Sequence, residues 1–173
     1  MMQTPAGATH PRPLVGLLLA GATGLIGAAT WLVLADMHLA AGACAAGAGG
    51  FLLALSGVRS GATERFLDST VDRVFDGCIL GAIAWSTRRS DLAAATGALV
   101  ALGASFLAAY VAAKGKALGY GIESGRLNRA VRYALVSVGL MSGWISASLW
   151  ALVAMSAGTA VVRASNVVKE ERA

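Results

Sequence analysis

Apolar residues fill this chain in long blocks, and most polar residues fall between the blocks. Residues 14–35 and 39–58 each run without an acid or a base, long enough for a helix to cross roughly 30 Å of hydrocarbon. A third block, 66–85, carries charge in its first half. A fourth, 92–113, lies between Arg88-Arg89-Ser90-Asp91 and Lys114-Gly115-Lys116. The last apolar stretch, 130–162, is too long for one span, and Ser142-Gly143-Trp144-Ile145-Ser146 divides it in two. The pattern predicts six helices.

The distribution of bases selects six spans over five. With six, Arg12, Arg59, Arg65, Lys114, Lys116, Arg126, Arg129, Arg132, Arg163, Lys169 and Arg172 share one side, and only Arg88 and Arg89 lie on the other. Five spans strand the last three outside, against the positive-inside rule. Both termini are therefore expected on the cytoplasmic side of the cell membrane.

Composition agrees. Of 173 residues 57% are hydrophobic and 13% charged, with a mean hydropathy of +0.68 and a net charge of +5, which excludes a soluble domain. The first block is too long for a signal-peptide core and has only His10 and Arg12 as a basic flank, so it reads as a retained span. Cys44 and Cys78 sit in apolar surroundings and suggest no disulfide framework. The expected fold is all-α and polytopic, with a short arm at 1–13, a single six-helix transmembrane domain at 14–168 and a tail at 169–173. Small residues at almost every step of "LAAGACAAGAGG" predict that the second helix is crowded by neighbours.

Chemistry concentrates in "ERFLDSTVDRVFDG", where Glu64, Asp68, Asp72 and Asp76 recur every fourth residue. That spacing stacks like charges on a helix, and charge inside a span is costly. The row calls for cations. Asp68 and Asp72, about 40° apart around the axis, can share an ion, with Glu64 and Asp76 to either side. The alternative is structural: Asp68 and Asp76 pair with Arg65 and Arg73, and hydroxyls cap Asp72. A second cluster, Arg126, Arg129 and Arg132, opens the fifth span, with Lys114 and Lys116 closing the fourth. Guanidinium forks suit phosphate, yet bases at cytoplasmic helix ends also follow from topology alone.

With its following span, the "YVAAK" segment and "RLNRAVRYALV", the stretch "FLDSTVDRVFDG" resembles the CDP-alcohol phosphatidyltransferases, in particular the bacterial inositol-phosphate and glycerol-phosphate branch. The resemblance covers about residues 65–133. It implies a six-span enzyme, homodimeric, that transfers a phosphatidyl group from a CDP-diacylglycerol-type donor to a phosphorylated alcohol and releases CMP in phospholipid synthesis. No nucleic acid is implied. It also implies Mg2+ or Mn2+, with Asp68 and Asp72 as the last two aspartates of the family's four-aspartate signature. Asp72 becomes the general base, Arg126, Arg129 and Arg132 bind the acceptor's phosphate, and Lys114 and Lys116 are further substrate-binding candidates.

The first half of the signature, D-x2-D-G-x2-A-R, is replaced by "LALSGVRSGA". Leu53 and Ser56 stand at its aspartate positions, Glu64 at its later glycine, and Ala112 where the family often has a base. Only Glu64 and Asp76 are left to complete a ligand set, so one ion is expected rather than two. Three functions compete: a working transferase, an impaired relative that binds lipid or nucleotide or partners an active homologue, and, ranked last, an unrelated transporter using the acidic row as an ion site.

Overall fold

In the computed structural model, which describes residues 12–58, 62–120 and 126–170, the blocks fold as six helices: α1 (Arg12–Leu34), α2 (His38–Val58), α3 (Ala62–Thr87), α4 (Leu92–Ala117), α5 (Arg126–Ser142) and α6 (Ile145–Glu170). Most of the expected arm and the last residues of the tail lie outside the described residues. The expected division of the last stretch is present: Gly143, at φ 76°, turns the chain between α5 and α6, a conformation that costs glycine little. α3 and α4 run past their apolar blocks. At the end of α4 the Tyr120 N–H returns to the Gly115 carbonyl at 3.0 Å, with Gly119 at φ 91°, as in a glycine-terminated helix. At its start the Asp91 carboxylate accepts from the Ala94 N–H at 2.9 Å.

The helices close into a ring. α1 packs on α2, α2 on α5, α5 on α6, α6 on α4, α4 on α3, and α3 returns to α1. Each turns a stripe of buried residues inward at helical spacing: Ala22, Ile26, Ala29 and Val33 on α1, and Ala94, Ala98, Ala101, Ser105 and Ala108 on α4. Four helices are long and apolar enough to cross a membrane: α1, α2, α4 and α6. α3 and α5 carry the charged rows and are held by the ring. The protein is an all-α integral membrane bundle.

Small residues on α2 set the distance to α5. A Cβ on Gly42 would lie 2.8 Å from the Ser137 carbonyl oxygen, and one on Gly49 would lie 2.8 Å from atoms of the Tyr133 side chain. Only glycine permits that approach, as the crowding in "LAAGACAAGAGG" predicts. Tyr133 is thereby pressed towards α3.

Candidate functional site

On α3 the acidic row and the apolar stripe are one face. Asp68, Asp72 and Asp76 are buried, continuous with buried Phe75, Ile79, Leu80 and Ile83. Buried carboxylates need partners. Arg129 donates to both oxygens of Asp68, at 3.1 and 2.8 Å. Asp72 accepts from Arg132 and the Tyr133 hydroxyl on Oδ1 and from Arg73 on Oδ2, while Arg129 Nε lies 3.8 Å from Oδ1. Asp76 meets Arg132 Nε at 3.0 Å on Oδ1 and Arg73 Nη1 at 3.0 Å on Oδ2. Ser105 on α4 completes the set, accepting from Arg73 at 2.8 Å and donating to Asp76.

Among the described side chains, three carboxylates are thus matched by three guanidiniums. Two of the arginines come from α5, whose backbone does not approach α3 among the described residues. Long arginine stems span that gap. Tyr133 is fixed beside them, its ring edge-on to Phe75 at 4.7 Å between centroids.

Above this layer opens a cavity of about 500 Å³, lined by Asp68, Asp72 and Arg73 of α3, Lys116 of α4, Arg129 and Arg132 of α5, and Arg163 of α6. Ala108, Ala109, Ala112 and Ala113 form an apolar wall on α4. Arg163 donates to the Ala108 carbonyl at 3.1 Å. At the rim Asn128 donates to Thr159 at 3.2 Å, tying α5 to α6. The cavity lies at the end of the bundle where the bases cluster, opposite Arg88 and Arg89.

Asp68, Asp72, Arg129, Arg132 and Lys116 therefore meet at one cavity. Asp76 does not line it: Arg73, Arg132 and Ser105 enclose it below, which removes it as a stand-in ligand. Lys114 is exposed and does not line it either. The side chains of Glu64 and Arg126 lie outside the described residues. Asp76 pairs with Arg73 as the structural alternative expects, and Asp68 is bound by Arg129 of α5. Ser105 and Arg163 also reach the site, and in the sequence a hydroxyl and a base within apolar runs are their only signals.

The residues do not fit a pair of divalent ions. A two-ion clamp needs oxygen ligands for both ions, yet among the described residues only Asp68 and Asp72 offer carboxylates to the cavity and α2 contains none; at its end Ser56 donates to the Leu53 carbonyl at 2.7 Å. Among the described residues no group of three or more His, Cys, Asp or Glu side chains is arranged to hold a metal.

No protein-family model matches the chain. It is 38% identical over 116 residues to phosphatidylinositol phosphate synthase of Corynebacterium glutamicum, covering 62% of this chain and 52% of that protein. The chain thus spans about half the length of the curated relative. In three dimensions it matches the crystal structure of Mycobacterium tuberculosis phosphatidylinositol phosphate synthase with CDP-DAG bound, with a TM-score of 0.69 and 20% identity, over 89% of this chain and 85% of that one. The fold is that of a CDP-alcohol phosphatidyltransferase. The resemblance carried by "FLDSTVDRVFDG" and "RLNRAVRYALV" is borne out in sequence and in fold. CDP-alcohol phosphatidyltransferases are generally dependent on divalent metal, and α2 of this chain carries no carboxylate.

Proposed function

We infer that this protein transfers a phosphatidyl group from a CDP-diacylglycerol-type donor to a phosphorylated alcohol in phospholipid synthesis. The observation that carries the reading is the meeting of Asp68 and Asp72 with Arg129 and Arg132 at one cavity of about 500 Å³, a size that suits a small ligand. The relatives' names, phosphatidylinositol phosphate synthase, and the CDP-DAG of the structural neighbour supply the chemical class. By the positive-inside rule the cavity faces the cytoplasm of the cell membrane, with both termini on that side. A homodimer is the expected assembly.

Substrate phosphates compete with Asp68 and Asp72 for Arg129 and Arg132, and guanidinium accepts either anion in fork geometry. Asp72, released from them, takes the proton of the acceptor hydroxyl. That oxygen bonds to the phosphorus of the phosphatidyl group, the bond from phosphorus to CMP breaks, and CMP leaves with the electron pair. Among the described residues Asp68 and Asp72 are the carboxylates lining the cavity that would hold any Mg2+ or Mn2+, and no step depends on it.

The absence of acids from α2 favours a second reading, a relative that binds the donor without turning it over. CMP release from CDP-diacylglycerol, with inositol phosphate or glycerol phosphate as acceptor, separates the two. The transferase reading expects release that falls in Asp72→Asn. Release no higher than in Asp72→Asn with either acceptor supports the second.

A further inference from the structure

We propose that this cavity holds the donor's pyrophosphate on guanidinium and ammonium groups, which take over the charge role of the paired ions implied by the family signature. The proposal rests on the transferase reading only for the chemical class of the donor. Three observations carry it.

The side of the site that should supply half the ion ligands supplies none, with Leu53 and Ser56 standing at those positions. Among the described residues the cavity is also more basic than acidic: Arg65, Arg73, Lys116, Arg129, Arg132 and Arg163 face it, against Asp68 and Asp72 with Asp76 just below. Such an excess of bases attracts a polyphosphate and repels a divalent ion. Finally, both oxygens of Asp72 are engaged by arginines, Oδ1 by Arg132 with Arg129 Nε 3.8 Å away, and Oδ2 by Arg73. An ion ligated there would lie among three guanidiniums. The same arginines need no ion to meet phosphate, because a guanidinium is always charged and presents paired donors.

The test is binding of CDP-diacylglycerol to the purified full-length protein in detergent, after EDTA treatment and again with Mn2+ or Mg2+, with bound Mn2+ counted by electron paramagnetic resonance. The proposal expects affinities equal within about twofold in all buffers, fewer than two Mn2+ per chain, and a loss of about tenfold or more in Arg132→Gln. Removing one partner of a buried pair can unfold a protein, so Asp68→Asn/Arg129→Gln, which removes both charges of that pair, is measured beside it and is expected to bind more weakly as well. An affinity that falls about tenfold in EDTA and recovers with Mn2+, two bound Mn2+ per chain, or unchanged binding in the folded double variant overturns the proposal. Donor binding in EDTA without any CMP release upholds it and removes the transferase reading; CMP release with metal-dependent donor binding does the reverse. No donor binding in any buffer overturns both.

Discussion

Arg129 reaches from α5 to both oxygens of Asp68 on α3, at 3.1 and 2.8 Å, across a gap that the two backbones do not close. Asp68 is fully buried and Arg129 only slightly exposed. Arg129→Gln is expected to cost up to about 3–5 kcal/mol, because it removes a charged partner from a buried carboxylate. Adding Asp68→Asn should recover much of that. Thermal unfolding in detergent measures both. A single variant that melts with the wild type would show that the pair holds nothing together.

The approach of α2 to α5 predicts opposite outcomes at neighbouring glycines. A Cβ on Gly49 would lie 2.8 Å from Tyr133 side-chain atoms, whereas one on Gly50 meets nothing within 4 Å. Gly49→Ala should destabilise by about 1–3 kcal/mol through overpacking and shift the Tyr133 hydroxyl from Asp72. Gly50→Ala should stabilise by up to about 1 kcal/mol through helix propensity. Melting temperatures that move in the same direction would contradict this packing.

Ser105 of α4 joins Arg73 and Asp76 of α3. Ser105→Ala leaves two charged groups short of a partner and is expected to cost about 1–3 kcal/mol. Valine at the same position should cost more, since it adds bulk in a buried slot. Equal stability of wild type and both variants by thermal unfolding would remove Ser105 from the network.

The bundle was legible because helical spacing and apolar block length are local properties. The break at Gly143 and the crowding of α2 follow from the residues themselves. The inward turn of Asp68 and Asp72 follows too, since the acidic row shares its period with Phe75, Ile79 and Ile83. The partners of that row were not legible. Spacing of three places Arg126, Arg129 and Arg132 along one side of α5, but nothing local says that α3 faces them across a ring. Asp76 shows the same limit: its spacing equals that of Asp72, yet Arg73, Arg132 and Ser105 close it off from the cavity.

The alanine wall of α4 allows the cavity to be narrowed without removing a charged group. Ala112 lines it beside Ala108, Ala109 and Ala113. Ala112→Leu puts three further carbons towards open volume rather than into a packed core, so stability should change by less than about 1 kcal/mol. Space for substrate is lost. If the transferase reading holds, KM for donor or acceptor rises while kcat changes little, because uniform binding is removed and Asp72 keeps its surroundings. If the protein only binds the donor, its Kd rises in the same way, so the wall is tested under both functions. A folded Ala112→Leu protein with unaltered KM for both substrates, or unaltered donor Kd where CMP is not released, would mean that substrates occupy another part of the bundle.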